Sequence, residues 1–141
     1  MIVEPRWEHF AHGADIGVRG IGPSKAAAFE QAALALTGVI TDPARIGAST
    51  SVEVRCAAPD DELLLVDWLN AIIFEMATRK LLFGRFAVHL TDGTLTATAW
   101  GEPVDVLRHA PAVEVKGATL TGLSVRRDGP ERWVAECVVD V

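Results

Sequence analysis

The chain has 141 residues, half of them apolar and 23% charged, with a formal net charge of −6. That length and composition describe one globular domain, residues 1–141, able to bury a core without disulfides or a structural metal. The acidic balance argues against a dominant role in gripping phosphate backbones, because nonspecific nucleic-acid affinity comes mainly from Lys and Arg.

In chain order, the opening MIVEPRWEHF carries charges where a signal peptide needs an apolar core. No apolar run approaches the ~18 residues of a membrane span, so a cytoplasmic location and no membrane partner are expected. Residues 15–21 read as the first strand, with Ile16 and Val18 on one face. Pro23 and Ser24 break it, and Ser24 is placed to cap a helix. That helix is alanine-rich from Lys25, with Ala26, Phe29, Ala33, Leu36 and Ile40 on one stripe, and Thr41-Asp42-Pro43 ends it. Residues 51–57 alternate as a second strand.

Pro59 and Asp60 start a long helix with Asp60, Asp61 and Glu62 at its positive dipole end. Its core stripe is Leu65, Trp68, Leu69, Ile72, Ile73 and Met76, and Arg79 and Lys80 suit its C-terminal end. A hairpin follows, residues 83–91 and 94–100 around Asp92-Gly93, the preferred pair for a type I′ turn. A loop with Pro103 and Pro111 holds a short helical turn near residues 104–108. Residues 113–126 read as extended, interrupted at Gly117 and Gly122, and a turn at Asp128-Gly129 leads into a last strand, 132–141. The order predicts an α+β two-layer domain, a mostly antiparallel sheet with two main helices packed on it. Cys56 and Cys137 fall on apolar phases of strands and are expected as reduced, buried thiols.

Familiar catalytic motifs are missing: the sequence has no P-loop, Gly-x-Ser-x-Gly or His-Glu-x-x-His. The glycines of GADIGVRGIG do not open a helix as a dinucleotide fingerprint requires, and are expected to let the chain bend around a site at the sheet edge. What remains is polar residues at strand ends. Asp15 starts a strand, although strands disfavour Asp. Asp140 is the penultimate residue, flanked by Val138, Val139 and Val141, and a desolvated carboxylate there needs a partner. Strand pairing that joins Asp15 to Asp140 would gather these two and the Val141 α-carboxylate. Such a cluster needs neutralising, either by a divalent cation, for which oxygen-only ligation suits Ca²⁺ or Mg²⁺, or by a basic side chain such as Lys116. The alternative expectation is that Asp15 caps a turn and Asp140 pairs with an Arg. His12 is placed to support the Asp15 strand entry, and Glu102 and His109 to line the same edge. The four histidines are scattered without metal-ligand spacing.

Six segments in register resemble the archease family across essentially the whole chain. HGADIG (12–17) resembles its His-Thr-Ala-Asp-Ile-Gly opening, and TGVITD (37–42) its first helix end. DELLLVDWLNAIIFEM (61–76) is similar to its long helix, and GEPVDVLRH (101–109) to its Gly-Glu-x-x-Asp-x-x-x-His loop. EVKGAT (114–119) is similar to its Glu-Val-Lys-Ala-x-Thr strand, and VVDV (138–141) to its ending. Gly13 stands where the family has Thr, and Gly117 where it has Ala.

The resemblance implies a protein cofactor, not an enzyme. Its partner would be a GTP-dependent RNA ligase that joins 3′-phosphate or 2′,3′-cyclic phosphate ends to 5′-hydroxyl ends. The cofactor would promote ligase guanylylation and repeated turnover in tRNA splicing and RNA repair, meeting GTP and RNA only through the ligase. It also implies a divalent-metal site (Ca²⁺ or Mg²⁺/Mn²⁺) at Asp15 and Asp140 and a partner-activating role for Lys116. The competing expectations are a stand-alone metal-dependent hydrolase and a chaperone-like scaffolding module whose carboxylates only stabilise the fold.

Overall fold

In the computed structural model, which describes residues 3–141, the chain opens with a hairpin that the sequence pattern does not announce. Strand β1 (Arg6–His12) runs antiparallel to β2 (Asp15–Gly22). Asp15 therefore begins the second strand, not the first. The signal was weak because β1 mixes charged and aromatic residues instead of alternating cleanly, and its turn, Gly13-Ala14, is not a common hairpin pair.

Helix α1 (Lys25–Ile40) begins where expected, with the Ser24 hydroxyl accepting from the Ala27 N–H at 3.1 Å. It is buried on more than the predicted stripe: Ala28, Ala32, Ala35 and Thr37 are fully enclosed alongside Phe29, Ala33 and Leu36. The reason is that α1 touches β1, β2 and the last strand, and also a strand of a second sheet, β4 (Leu81–Thr91). Its small residues permit that approach. Gly20 lies so close that a Cβ there would sit 2.1 Å from the Ala28 carbonyl oxygen. The Thr37 hydroxyl donates to the Phe83 carbonyl at 2.8 Å, and the Glu30 carboxylate accepts the edge N–H of Val88 at 2.8 Å.

A single 3-10 turn (Pro43–Arg45) capped by Asp42 leads to β3 (Thr50–Ala57). Helix α2 (Asp61–Arg79) is capped by Asp60, which accepts from the Leu63 N–H at 2.8 Å. Lys80 ends it in a left-handed conformation, φ 55. Trp68 is fully buried, and its indole N–H donates to the Phe29 carbonyl of α1 at 3.0 Å, tying the helices together. The hairpin β4 (Leu81–Thr91) and β5 (Thr94–Pro103) turns at Asp92 and Gly93, both at positive φ, as a type I′ turn requires. A four-residue helix α3 (Val106–His109) follows. The region read as extended over 113–126 keeps only β6 (Gly117–Ala118) and β7 (Ser124–Arg127) as strand, before β8 (Trp133–Asp140).

The α+β two-layer arrangement with two main helices is present, and among the described residues every strand pairing is antiparallel, but the strands form two sheets. One runs β1-β2-β8-β6, with β7 also on β8, and the other β3-β5-β4. Central β8 is buried on both faces, from Val134 to Val139, so its expected apolar/polar alternation is lost. Its second face carries a cross-strand row, Glu8, Arg19 and Glu136. Arg19 donates to Glu8 at 2.7 Å and to Glu136 at 3.1 Å, and Arg126 to Glu136 at 2.7 Å. Burial pushes the Glu136 carboxyl up, but the two guanidinium groups outweigh it and hold it below its ordinary value.

The glycines of the opening motif serve packing more than bending. Gly17 lies beneath the Phe10 ring, and Gly20 and Gly22 face α1. Only Gly13 has the positive φ, +60, that bends the chain. Cys137 is fully buried in β8, where burial pushes its thiol up to about 12, whereas Cys56 is half-buried on β3.

Candidate functional site

The opening hairpin closes with two residues, Gly13 and Ala14, between paired His12 and Asp15. Gly13 alone of the two is left-handed, the pattern of a type II′ turn. This tight turn sets Asp15 at the start of β2. The β2–β8 ladder pairs Gly22 with Trp133 through to Ile16 with Val139. Continued by one residue, it sets Asp15 opposite Asp140. Directly opposed residues have Cβ atoms ~4.5–5.5 Å apart and project to the same face. On the far side of β8, Gly117 pairs with Asp140. A single row, His12, Asp15, Asp140 and Gly117, thus crosses four strands at one end of the sheet.

Asp15 is half-buried, Asp140 and His12 are exposed, and Val141 is half-buried. The expectation that burial forces Asp140 to find a partner therefore fails. Register brings it to Asp15, and its carboxylate faces water. Lys116 is also exposed, and its N–H donates to the Asp140 carbonyl at 2.8 Å. The structure thus gathers Asp15, Asp140, Lys116 and Val141, with His12 beside Asp15. Among the described residues, no three His, Cys, Asp or Glu side chains converge as a ready metal cage. The side-chain oxygen donors at this tip are the two aspartates, with Val141 next to Asp140.

Glu102, at the end of β5 in the other sheet, and His109, at the end of α3, sit elsewhere in a bridge of their own. The Gly47 N–H donates to Glu102 Oε2 at 2.7 Å, Arg108 reaches Oε1 at 2.6 Å, and His109 Nε2 lies 2.9 Å from Oε2. The Asp105 N–H donates to His109 Nδ1 at 2.9 Å, so Nδ1 accepts and the ring proton belongs on Nε2, donating to Glu102. The Gly47 N–H, then Arg108 and His109, hold the Glu102 carboxyl down to about 2. Thr41 Oγ1 donates to the His109 carbonyl, which ties the same loop to the end of α1. The pair locks the 102–109 loop in place, and neither side chain is bonded to the Asp15–Asp140 row.

Sequence reasoning missed Asn70. From α2 its Oδ1 accepts the Ala118 N–H at 2.9 Å and its Nδ2 donates to the Ala118 carbonyl at 3.4 Å. The side chain imitates a neighbouring strand along the free edge of β6, whose other edge pairs with β8. It holds in place the segment that carries Lys116. The available signal was an amide side chain interrupting an otherwise apolar helical stripe.

Fold and site together define an α+β domain that presents a paired-aspartate tip beside a lysine. The family model of the archease protein family (MTH1598/TM1083) matches residues 7–141, and the chain belongs to that family. It is 36% identical over 140 residues to the protein archease of Pyrococcus furiosus, covering 96% of this chain and 99% of that one. It is 32% identical to that of Methanosarcina barkeri, covering 96% of each. The solution structure of Methanobacterium thermoautotrophicum protein 1598 superposes with a TM-score of 0.83 at 30% identity, over 96% of this chain and 98% of that one. A Thermotoga maritima archease, described as a "possible chaperone", shares the fold, with a TM-score of 0.60 at 20% identity over 95% and 96% of the two chains. No helix among the described residues is long and apolar enough to cross a membrane.

Proposed function

We propose that this protein is an accessory activator of a GTP-dependent RNA ligase, promoting its guanylylation and repeated turnover in tRNA splicing and RNA repair. The observation that carries the reading is the in-register juxtaposition of Asp15 and Asp140 beside Lys116, in a member of the archease family. The protein contributes no catalytic residue of its own and meets GTP and RNA through the ligase.

The donor set fits a divalent cation: hard oxygen donors on adjacent strands, exposed enough for water to complete the shell. Asp15, Asp140 and Val141 would hold Ca²⁺ or Mg²⁺/Mn²⁺. Such an ion would supply positive charge against phosphate oxygens. The chain's own part is positional. The β2–β8 ladder preorganises the two carboxylates, so no side chain has to search for the other. Lys116, held by its N–H on Asp140, offers a second cationic group at the same tip. The acidic surface suits entry into a basic nucleic-acid groove, where complementary charge speeds encounter.

A guanylylation time course of the cognate ligase tests this. The wild-type chain is expected to accelerate guanylylation and support multiple turnovers, and Asp15→Ala and Asp140→Ala to lose that stimulation. Variants that stimulate at wild-type rates refute the role of the tip. Nuclease or phosphatase activity of the protein alone would favour a hydrolase instead.

A further inference from the structure

The charged groups of the tip are fixed to different degrees. Asp15 and Asp140 are set by the long β2–β8 ladder. Lys116 lies just before β6, a strand of only two residues, so little ladder fixes it. On the inner edge its segment leans on β8. The Lys116 N–H donates to the Asp140 carbonyl at 2.8 Å and the Thr119 N–H to the Val138 carbonyl at 3.0 Å. The outer edge of β6 has no neighbouring strand. There, among the described residues, Asn70 makes the only side-chain hydrogen bonds to β6. Its Oδ1 accepts from the Ala118 N–H at 2.9 Å, and its Nδ2 donates to the Ala118 carbonyl at 3.4 Å.

Asn70 is a firm anchor because α2 is itself fixed. Trp68, two residues earlier, is fully buried and bonds the Phe29 carbonyl of α1 at 3.0 Å. Helix α1 in turn packs on β2 and β8, the strands that carry the two aspartates. Asn70 therefore ties the lysine's segment to the same frame that holds Asp15 and Asp140. Val115 is buried on one side of Lys116, and on the other only Gly117 separates the lysine from Ala118. Release of Ala118 frees the backbone of Lys116 on that side.

We propose that Asn70 is a positioning residue of the activating tip. Through its amide oxygen it holds Ala118 to α2 and so fixes where Lys116 stands relative to Asp140. This rests on the ligase-activator reading and adds to it a residue that acts through the lysine, from a helix and not from the tip itself. Its effect falls on the rate of activation and not on the affinity for the ligase.

The test titrates the full chain into the cognate GTP-dependent RNA ligase and follows guanylylation with labelled GTP, at a temperature where circular dichroism shows every variant folded. Asn70→Ala and Asn70→Leu, the second close to asparagine in size, both remove the acceptor for the Ala118 N–H. Each is expected to lower the plateau rate at least about threefold and to leave the half-maximal concentration unchanged. Asn70→Asp keeps an acceptor at the same place and is expected to retain the plateau within about twofold, a rescue that filling space alone would not give. If the Ala and Leu variants reach the wild-type plateau while Asp15→Ala loses stimulation, the positioning role is refuted and the activator reading survives. If the Asp variant falls as far as the other two, the acceptor is not what matters and the proposal is overturned. A raised half-maximal concentration at an unchanged plateau would place Asn70 in docking and overturn it as well. If the wild-type chain does not stimulate the ligase, both the activator reading and the positioning role are refuted.

Discussion

Asn70→Ala probes whether α2 fixes the segment that carries Lys116. The substitution removes the 2.9 Å bond to the Ala118 N–H and the longer 3.4 Å contact to its carbonyl. A neutral hydrogen bond contributes about 1 kcal/mol net, and a half-buried N–H left without a partner brings the cost to about 2 kcal/mol. The long contact adds little. Local opening of β6 should therefore become about five- to thirtyfold more favourable, with amide exchange of Ala118 accelerated by the same factor. Global stability is a poor readout, because alanine recovers up to about 0.7 kcal/mol of helix propensity. Native-state exchange followed by NMR separates the two effects. The Ala118 N–H is held by Asn70, whereas the Lys116 N–H is held by Asp140 on the other edge. Ala118 should respond most, Lys116 less, and the paired amides of β1 and β2 not at all. Unchanged Ala118 exchange would refute the idea that this side chain stands in for a strand.

The Glu102 bridge gives a pH prediction. Its carboxyl lies at about 2 when folded, against an ordinary 4.5, so the unfolded chain binds the proton more readily. The stabilisation is full above pH 4.5 and is lost as pH falls through that value toward 2. Urea midpoints measured between pH 5 and pH 3 should therefore fall less steeply in Glu102→Gln than in wild type. Parallel curves would sink the assignment. Gly20→Ala should destabilise the protein by about 2–3 kcal/mol, because its Cβ would meet backbone atoms that cannot swing away. Those atoms are the Ala28 carbonyl oxygen at 2.1 Å and the Ala32 nitrogen at 2.2 Å. A denaturation midpoint equal to wild type would show that α1 can shift off β2.

Much of the fold was legible locally. The Ser24 and Asp60 caps, the lengths of α1 and α2 and the Asp92-Gly93 turn follow from hydrogen-bonding side chains and from φ preferences within a few residues. The candidate tip was legible in part. Asp15 and Asp140 stood out as acidic residues at strand ends, but the desolvation reasoning for Asp140 failed, since its side chain is exposed. Glu102 and His109 were noticed as a polar loop, yet their partners, Gly47 and Thr41, lie far away in the chain. Asn70 was passed over because a helical amide reveals its partner only when a strand edge is laid beside it.

The sequence by itself determined element types, caps, turns and family membership, all of which depend on short-range chemistry or on residue order. Tertiary structure decided what required long-range pairing: the β1–β2 hairpin, the division of the strands into two sheets and the burial of both faces of β8. It also decided the register that sets Asp15 opposite Asp140 across more than a hundred residues of chain. A one-residue slip would turn the two carboxylates to opposite faces, and no local pattern records that choice. Register is chosen collectively by everything the sheet must bury, and here that includes the close seat of α1 on Gly20.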